Sequence, residues 1–418
     1  MTITTHNWAG NVELGAAHIH TPTSLAELRK IVAGARRVRA LGTGHSFSRV
    51  AATDADLVSL AGMPAAVEVA ADGRTATVSA AMRYGEVATA LHEAGYALAN
   101  LASLPHISVA GACATGTHGS GAANGSLATS VAGIEMVTGG GDLLRLRRGE
   151  LEFSGTVVAL GALGVVTGLT LDIEPAYEVS QVVYDDLAFD DFDLDVFAEG
   201  YSVSAFTDWA APRFTQVWVK RRGAGGFPER LRGAARAGGP RHPIAALDGT
   251  ICTAQLGEPG PWHERLPHFR LDHTPSVGEE LQSEYFVDRV RGLEVIAALH
   301  AVSAAFAHLV AVTELRTVAA DELWLSPAYR RHSMTIHFTW VDDIAGVTAA
   351  LPVIEEALAP YAPRPHWGKL FTMAPERVAA GYERLADFGR MRRIFDPAGT
   401  FGNDFVDAYA PVTPSPAV

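Results

Sequence analysis

A histidine directly follows a glycine turn near the N-terminus of this 418-residue chain. The apolar residues 38–41 predict a buried strand, which breaks at Gly42, Thr43 and Gly44 just before His45. Glycines at such a turn allow positive φ angles and let backbone N–H groups converge on an anion, most often a phosphate. Neither the third glycine of a dinucleotide fingerprint nor the Gly-Lys-Ser/Thr of a phosphate loop follows. The turn therefore predicts an anion site beside an imidazole; the alternative is that His45 only caps the turn.

Two pairs of polar residues further along the chain have the alternation of a β-strand. Glu314 and Arg316 are two positions apart in a β-branched stretch, and His337 and Thr339 have the same spacing. Side chains at i and i+2 of a strand point to one face, so each pair would lie side by side. A partly buried carboxylate can accept from one sugar hydroxyl while the guanidinium beside it donates to another. The alternatives are a solvated ion pair of little energetic value and a histidine satisfied within a half-buried strand.

A third candidate is the stretch 364–369, which reads Arg-Pro-His-Trp-Gly-Lys. Aromatic, glycine and cationic residues packed this closely are typical of the edge of a site rather than of a helix or a plain strand. Lys369 is therefore predicted to reach into a site, and the alternative is an ordinary surface charge.

Two further histidine patterns predict no metal site. His263 and His268 are spaced almost as in a zinc-protease helix, but the second comes one residue too late and Pro267 disrupts the turn. The alternating His18 and His20 have no acidic or cysteine partner nearby in the sequence. A Gly-x-Ser-x-Gly nucleophile elbow is also missing.

Helices and hairpins surround the glycine turn in the first part of the chain. Ser24 is the predicted cap of a helix over 25–32, and Gly95 ends a second predicted helix over 84–94. Residues 111–125 hold five glycines among mostly small residues, which predicts a loop wrapped around a ligand rather than a regular element. Two hairpins are predicted, one from 67–69 and 75–78 and the other from 134–137 and 143–146. A buried turn followed by a strand is predicted at 160–173.

The pattern changes after Pro175. The stretch 214–219 predicts a strand and 289–309 a long helix, which together indicate an antiparallel sheet covered by helices. Residues 222–239 are rich in glycine and arginine and predict an exposed loop. The predicted fold class is therefore α+β, with two lobes that meet near 174–175.

Composition and charge argue against several classes of protein. With 33 basic and 46 acidic residues, the net charge of −13 disfavours nucleic acid or an anionic membrane as a partner. The N-terminus lacks a basic segment followed by an apolar one, and no run has the length and apolarity of a membrane span. Two cysteines, Cys113 and Cys252, make a disulfide framework implausible and fit a reducing compartment. We therefore expect a soluble, cytoplasmic protein.

The order of the motifs carries a family resemblance. After the glycine–histidine turn come Ser-Leu-Pro-His, Gly-Ala-Cys-Ala-Thr-Gly-Thr-His-Gly and Leu-Gly-Ala-Leu-Gly-Val-Val-Thr, at 103–106, 111–119 and 160–167. This series resembles the FAD-binding domain of the vanillyl-alcohol oxidase family. Further stretches that fit the family, and its alditol-oxidising branch in particular, lie at 261–269, 281–285, 314–321, 337–340 and 364–369. Sugar-1,4-lactone oxidases share the flavin motifs and a His-Trp-x-Lys near the end, and they are the nearest alternative.

Members of this family bracket a substrate-capping domain between an N-terminal FAD lobe and a short C-terminal return. The resemblance implies a two-lobed α+β fold with a PCMH-type FAD-binding domain at 1–175, a cap on an antiparallel sheet at 176–365 and a return to the FAD lobe at 366–418. It also implies an FAD joined covalently to the His45 imidazole through the 8α-methyl group of its ring. Because Ser103 stands where some relatives have a second, cysteinyl attachment, one covalent bond is expected.

The resemblance also implies the other FAD contacts. Residues 40–46 would hold the pyrophosphate, and the second glycine-rich loop would complete the cradle. Val165 or its neighbours would contact the adenine side, and His366 the flavin ring. The implied cofactor set is His45, Ala40, Leu41, Gly42, Thr43, Gly44, Ser46, Ser103, Ser108, Gly111, Thr115, Gly116, Thr117, His118, Val165 and His366.

The implied substrate set suits a chain of hydroxyls, which needs alternating donors and acceptors. The implied reaction oxidises the terminal CH₂OH of an alditol such as xylitol or sorbitol to the aldose, while O₂ is reduced to H₂O₂. Arg316 and Lys369 would stabilise negative charge on the substrate oxygen, and His337 would accept the hydroxyl proton. The set is Ser103, Gln282, Glu314, Arg316, His337, Thr339 and Lys369.

Two alternatives stay open at this point. An aldono-1,4-lactone oxidase or dehydrogenase would share the flavin motifs and differ in its substrate. A non-catalytic flavin- or nucleotide-binding protein would have no use for a polar face that joins Glu314, Arg316, His337 and Thr339. The expected partners are a small polyol and O₂, without a nucleic acid, a membrane or a metal ion, and the chain is expected to be a monomer.

Overall fold

The computed structural model describes residues 6–273 and 280–413 of the chain. The strands of its first part are β1 (His18–His20), β2 (Val38–Leu41), β3 (Asp56–Ser59), β4 (Val67–Val69), β5 (Thr75–Ser79), β6 (Tyr96–Ala97), β7 (Val131–Val137), β8 (Leu143–Arg147), β9 (Val165–Asp172) and β10 (Glu174–Pro175). The helices of this part are α1 (Leu25–Gly34), α2 (Tyr84–Glu93), α3 (Val109–Ala114) and α4 (Phe153–Thr156).

These elements confirm most of the first part as predicted. Ser24 caps α1 by accepting from the backbone N–H of Glu27, and Leu28 and Val32 bury one face of the helix. Gly95 follows α2 with a φ of +86°, the left-handed conformation that ends a helix. A parallel sheet in the order β1-β3-β2 delivers the glycine turn, and an antiparallel sheet in the order β4-β5-β9-β7-β8 contains both predicted hairpins.

The second part is dominated by one large antiparallel sheet. Its strands are β11 (Glu178–Ala188), β12 (Ser202–Thr207), β13 (Arg213–Arg222), β14 (Arg230–Leu231), β15 (Ala234–Arg236), β16 (Gly260–Pro261), β17 (Glu280–Asp288), β18 (Val310–Val318), β19 (Ser333–Val341) and β20 (Arg364–Pro365). The spatial order is β14-β15-β11-β13-β12-β18-β19-β17-β20, and β16 pairs with β11. The later helices are α5 (Gly292–Val302), α6 (Ile344–Leu358), α7 (Pro375–Ala379), α8 (Leu385–Phe395) and α9 (Asp404–Tyr409).

The register of the three strands β17, β18 and β19 aligns their polar residues in rows. Glu314 pairs with His337, which in turn pairs with Glu284, and Thr339 pairs with Gln282 on the same strand as Glu284. Because alternate side chains share a face, these residues all lie on one face of the sheet. The opposite face holds the stacked, fully buried rings of Phe338 and Trp340, which join the main hydrophobic core.

The C-terminal segment packs back onto the first part. The backbone N–H of Val38 donates to the carbonyl of Thr400 at 2.8 Å, and the Asn403 side chain donates to the carbonyl of Ala52 at 2.7 Å. The buried Arg39 guanidinium donates hydrogen bonds to the carbonyl oxygens of Leu160 and Phe401. The strand before the glycine turn is thus fixed by residues more than 350 positions away in sequence.

Three predicted elements differ from the structure. Residues 111–114 belong to α3, in which alanine, the residue that most favours a helix, occupies positions 112 and 114, so only the rest of 111–125 is a loop. The predicted helix over 289–309 is shorter, because 3-10 turns flank α5 on both sides. The predicted exposed loop at 222–239 contains the β14–β15 hairpin, in which the side chains of Leu231 and Ala234 are buried.

Among the described residues, no helix has the length and apolarity to cross a membrane. Cys113 and Cys252 are both buried, and neither forms a disulfide. Burial raises the pKa of the Cys113 thiol to about 12, and its sulfur lies 3.3 Å from the hydroxyl of Tyr84. Neither thiol is therefore placed to act as a reactive nucleophile.

Candidate active site

A cavity separates the glycine turn from the polar face of the large sheet. The centre of a water molecule can move through about 330 Å³ of it. We call one side the cradle wall, formed by residues 39–48 together with Ser108, Gly111, Ala112 and Thr115 of α3 and its ends. We call the other side the sheet wall, formed by Gln282, Glu284, Glu314, Arg316, His337, Thr339 and Lys369.

Neighbouring segments hold the glycine turn on both sides. The backbone N–H of Trp8 donates to the carbonyl of Gly44 at 2.8 Å, and that of Phe47 donates to the carbonyl of Gly368 at 2.7 Å. Gly44 has a φ of +72°, a conformation that a residue with a side chain rarely adopts. The Trp8 indole stacks on the His45 imidazole with ring centroids 4.9 Å apart. The turn and its histidine are thus held by contacts within the protein itself.

The glycine turn and the N-terminal end of α3 approach each other closely at Ser108. A Cβ atom on Gly42 would lie 2.3 Å from the hydroxyl oxygen of Ser108, and one on Gly111 would lie 2.8 Å from the same atom. The backbone N–H of Ser108 also donates to the hydroxyl of Thr43 at 3.2 Å. At Gly42 and Gly111 the cradle wall therefore exposes backbone and small polar groups to the cavity rather than bulky side chains.

His45 has an unused nitrogen in this wall. Its Nδ1 atom is buried and has no hydrogen-bond partner among the described residues. Burial, with a contribution from the charge of Lys369, lowers the pKa of His45 to about 4. The imidazole is therefore neutral near pH 7 and retains a lone pair that can form a covalent bond.

Two carboxylates flank the guanidinium of Arg316 on the sheet wall. Arg316 Nη2 lies 2.9 Å from Glu284 Oε1, and Arg316 Nε lies 3.5 Å from Glu314 Oε2. Burial alone would raise the pKa of both carboxyl groups, but the positive charges around them hold both pKa values below the usual range. Burial lowers the pKa of Arg316, yet the two carboxylates outweigh it and raise the pKa overall. All three groups are therefore charged at neutral pH.

A histidine stands behind each of these carboxylates. His118 Nε2 lies 2.9 Å from Glu284 Oε1, and His268 Nε2 lies 2.7 Å from Glu314 Oε1. All four side chains are at least nine-tenths buried. Because the hydrogen bonds of a buried carboxylate restrict its orientation, each histidine fixes the carboxylate in front of it.

His337 lies between the two carboxylates and contacts Arg316. Its Nδ1 is 3.3 Å from Arg316 Nη2, while its Nε2 is buried without a partner among the described residues. Burial and the charge of Lys369 lower the pKa of His337 to about 3. Since a guanidinium only donates, Nδ1 accepts from it and Nε2 carries the single proton of the neutral ring.

Lys369 completes the sheet wall from the C-terminal segment. Its ammonium group donates to Gln282 Oε1 and lies 5.2 Å from the ring centroid of Phe47. The amide of Gln282 donates in turn to Glu280 Oε1 at 2.6 Å, which fixes the orientation of the amide. Burial lowers the pKa of Lys369 to about 8, although nearby Glu284 acts in the opposite direction.

The structure brings almost all predicted site residues to this one cavity. The predicted substrate residues, including Ser103, line it together with the predicted cofactor residues, including Val165 and His366. Gly116 does not line the cavity. Gly116 adopts a φ of +71° in the turn after α3, and a Cβ atom on it would lie 2.9 Å from the Pro327 side chain. Gly116 is therefore needed for the loop conformation rather than for contact with a ligand.

Sequence reasoning missed three charged or titratable residues of this region. Glu284 follows Gln282 at i+2 on β17, so the alternation used for the other strands could have found it. His268 appeared in a discarded metal pattern and, without a role, in the family stretch 261–269, and its place beside Glu314 depends on tertiary contacts. Lys220 lies on β13, outside the cavity lining, and contacts His268. Among the described residues no cluster of three or more His, Cys, Asp or Glu side chains could hold a metal ion.

Two known families match two separate parts of the chain, and each part contributes one wall of the cavity. Residues 16–147, which contain the glycine turn and α3, match the FAD binding domain family. Residues 279–409, which contain the sheet wall strands and Lys369, match the D-arabinono-1,4-lactone oxidase family.

Full-length relatives decide the family. The chain is 46% identical to an alditol oxidase from a Streptomyces species over 97% of its own length and 99% of the relative. The chain belongs to the vanillyl-alcohol oxidase family of flavoproteins. It is 27% identical to an L-gulono-1,4-lactone dehydrogenase of Mycobacterium tuberculosis over 96% of the chain and 97% of that relative. The fold is that of cholesterol oxidase from B. sterolicum, with a TM-score of 0.76 at 15% identity over 97% and 96% of the two chains.

Membership of this flavoprotein family makes the chain an FAD-dependent oxidoreductase. The cavity fits the cofactor on three structural grounds. The glycines leave room for close approach to the backbone, the orphaned Nδ1 of His45 lies in the cradle wall, and the backbone N–H of Ser108 meets the Thr43 hydroxyl there. The fold is accordingly a two-lobed FAD-binding fold with a cap on an antiparallel sheet. The boundaries at 175 and 365 stay predictions.

Proposed function

We propose that this protein oxidises the terminal primary alcohol of alditols, such as xylitol and sorbitol, to the aldose with release of H₂O₂. The observation that carries the proposal is the sheet wall, where fixed donors and acceptors face the cradle wall across one cavity. A flexible chain of hydroxyls needs such a constellation, because each unpaired polar group in a buried site weakens binding. The 46% identity to a protein named alditol oxidase supports the same substrate class.

FAD, when bound, supplies the two-electron acceptor and passes the electrons on to O₂. The protein supplies binding, orientation and charge. Arg316 and Lys369 line the cavity as cations, so they would stabilise an alcohol oxygen that gains negative charge as its carbon is oxidised. Glu314, Gln282, Thr339 and Ser103 would pair with the remaining hydroxyls.

The geometry favours a different role for His337 from the proton acceptor predicted from the sequence. Nδ1 faces the Arg316 donor, and the buried Nε2 has no partner among the described residues. In this tautomer Nε2–H can donate to a substrate oxygen but has no lone pair to take its proton. We therefore assign His337 as a donor that orients the reacting hydroxyl.

We further propose that His45 holds the FAD covalently. The neutral ring, its orphaned Nδ1 and its stacking on Trp8 support a fixed nucleophile in the cradle wall. After acid precipitation, wild-type protein should keep its yellow colour in the pellet, whereas the His45→Ala variant should release the colour into the supernatant. Colour released equally from both proteins would contradict covalent attachment.

The alternative function is oxidation of an aldono-1,4-lactone. It is favoured by the match of 279–409 to the D-arabinono-1,4-lactone oxidase family, since these residues hold most of the sheet wall. A lactone presents a ring and fewer primary alcohols, so the two substrates need different arrangements of donors.

The deciding experiment is a peroxide assay of the purified holoenzyme with a panel of open-chain polyols and aldonolactones. We expect a higher kcat/KM with xylitol or sorbitol than with any lactone of the panel. Higher kcat/KM with a lactone would replace the proposal by its alternative, and a protein that is colourless after expression would support a non-catalytic binder. Turnover with an artificial electron acceptor but not with O₂ would make the enzyme a dehydrogenase. Location in the cytoplasm and a monomeric state stay predictions.

A further inference from the structure

A lysine that does not line the cavity lies behind Glu314. Lys220 is on β13, on the same face of the sheet as the polar rows, and is 1% exposed. Its ammonium group has four acceptors within hydrogen-bond distance. They are the carbonyl oxygens of Arg265 at 2.9 Å, Leu266 and Pro267 at 3.1 Å, and Nδ1 of His268 at 3.3 Å.

The two ring nitrogens of His268 face opposite kinds of partner. Nε2 lies 2.7 Å from the ionised Glu314, which only accepts, so Nε2 must carry the proton. Burial lowers the pKa of Lys220 to about 7, but the three carbonyl oxygens around its amino group accept hydrogen bonds and favour the ammonium form. An ammonium only donates, so the Nδ1 that faces it must carry the lone pair. Hydrogen-bond geometry thus selects one tautomer of a neutral ring.

The surroundings of His268 favour the same neutral form. The ring packs edge-on against Trp218 at 4.9 Å and against Phe206 at 5.7 Å between centroids. The other polar group near it is the hydroxyl of Ser204, 3.4 Å from Nε2. Burial lowers the pKa of His268 to about 4 even though Glu314 acts in the opposite direction.

The contacts that lead from Lys220 through His268 end at the Glu314 carboxylate, whose second oxygen, Oε2, is the one left for the substrate. His268 occupies Glu314 Oε1, whereas Glu314 Oε2 lies near Arg316 Nε at 3.5 Å and His337 Nδ1 at 3.8 Å. Both distances are long for hydrogen bonds, so Oε2 keeps the capacity to accept from a hydroxyl in the cavity.

We propose that Lys220 is a positioning residue for substrate binding. Through the fixed tautomer of His268 it holds Glu314 as an oriented acceptor for a hydroxyl of the substrate. This role rests on the proposed function, because the hydroxyl belongs to the polyol. Without the ammonium group, Glu314 alone selects the tautomer, because Nδ1 has lost the donor that opposed its protonation, and part of the His268 population carries its proton on Nδ1. The Nε2 lone pair would then face the Glu314 carboxylate, and the two would repel each other.

A merely structural lysine makes a different prediction. If Lys220 only ties down the carbonyls of 265–267, its loss lowers stability and leaves the affinity for polyol unchanged in the folded fraction. The two roles are therefore separated by KM and by the tautomer of His268, measured on protein that is folded and contains FAD.

The first experiment compares Lys220→Met with Lys220→Arg, which keeps a positive donor. A hydrogen bond to a charged group contributes roughly 1.5–3 kcal/mol, so we expect KM for xylitol to rise about 10- to 100-fold in Lys220→Met. We expect a much smaller rise in Lys220→Arg and similar kcat values in both variants. An unchanged KM in folded Lys220→Met would overturn the proposal.

A second pair of variants keeps the test decisive if Lys220→Met fails to fold. His268→Gln places an amide donor where Nε2 was, and His268→Asn places its polar atoms where Nδ1 was. We expect His268→Gln to retain most of the affinity for xylitol and His268→Asn to lose it. Equal KM values for the two variants would overturn the role given to the histidine.

The tautomer itself can be measured without turnover. In ¹⁵N-histidine-labelled resting holoenzyme, long-range ¹H–¹⁵N correlation should show His268 with a bare Nδ1 and a protonated Nε2, assigned by the loss of its signals in His268→Gln. Lys220→Met should shift this pattern toward protonated Nδ1, and an unchanged pattern would contradict the proposal.

If the wild type oxidised no polyol, the proposed function would fail, and the substrate role of Lys220 would fail with it. If the wild type oxidised polyols while neither KM for xylitol nor the His268 tautomer changed in Lys220→Met, only the positioning role of Lys220 would fail.

Discussion

The two walls of the cavity offer a ligand different kinds of group. The cradle wall offers mainly backbone and small side chains, and its shape depends on glycines that tolerate close approach, such as Gly42. The sheet wall offers buried charged side chains, and its shape depends on strand register and on ion pairs such as Arg316 with Glu284. The cradle wall is therefore specified by conformation and space, and the sheet wall by electrostatics.

This difference separates the expected effects of substitutions. On the cradle wall an added atom changes the room for the cofactor without removing a charge. On the sheet wall a removed charge changes substrate binding and turnover without changing the room for FAD. A substitution that affected both properties equally would contradict the comparison.

The largest effect is expected from Lys369→Met on the sheet wall. The change removes a buried cation whose hydrogen bond goes to the neutral amide of Gln282, so it leaves no carboxylate without its hydrogen-bonding partner. Loss of one group that stabilises developing negative charge lowers kcat by about 10²- to 10³-fold. We expect this loss in a peroxide assay with xylitol, while FAD per protein stays at the wild-type value.

The matched control is Lys369→Arg, which keeps the charge and should retain more activity than the methionine variant. A methionine variant that loses its FAD in parallel with its activity would show that the two walls are not separable at this position.

The second effect concerns Gly42→Ala on the cradle wall. The new Cβ atom would lie 2.3 Å from the Ser108 hydroxyl oxygen, so the Ser108 side chain, the turn or α3 must move. Overpacking of this kind costs about 1–3 kcal/mol, so we expect roughly five- to hundred-fold weaker binding of FAD before its attachment to His45, and therefore lower retention of FAD. The measurement is the ratio of flavin to protein absorbance after purification, with kcat expressed per bound flavin.

A second substitution tests the cause of this loss. In Gly42→Ala with Ser108→Ala the clashing oxygen is gone, and FAD retention should recover relative to Gly42→Ala alone. Ser108→Ala by itself is the control. No recovery in the double variant would show that the backbone conformation of the turn, rather than the contact with Ser108, excludes the alanine.

The two walls also differ in how far the sequence alone predicts them. Motifs of the cradle wall are contiguous, so the strand at 38–41, the turn and the family resemblance could be read from local residues. The alternation of Glu314 with Arg316 and of His337 with Thr339 correctly placed each pair on one face. The solvated alternative for Glu314 and Arg316 is excluded, because both side chains are buried.

What the sequence could not show depends on contacts between distant segments. The pairing of His268 with Glu314 joins residues 46 positions apart, and that of His118 with Glu284 joins residues 166 positions apart. Local composition also misled at 111–114, where the small residues form the end of α3 and Ala112 and Cys113 pack in the main hydrophobic core.

The third prediction concerns the alkaline side of the pH profile. Burial lowers the pKa of Lys369 to about 8, so its charge is present below that pH and is lost as the pH rises through it. If the cation stabilises negative charge, kcat/KM for xylitol should fall above about pH 8. In Lys369→Arg the guanidinium stays charged, so the fall should move to higher pH. Activity that rises through this range would instead identify neutral Lys369 as a base.

The smallest effect is expected from Thr339→Val at the edge of the sheet wall. The change keeps the shape of the side chain and removes one hydroxyl, with no ion pair disturbed. A neutral hydrogen bond contributes about 0.5–1.5 kcal/mol, so KM for xylitol should rise roughly two- to twelve-fold at nearly unchanged kcat. The Thr335→Val variant, at a buried position of the same strand outside the cavity lining, is the matched control for strand stability. Equal KM values in Thr339→Val and wild type would remove Thr339 from the substrate set. A lower kcat would instead show that the neutral Thr339 hydroxyl contributes to turnover as the charged residues of the sheet wall do.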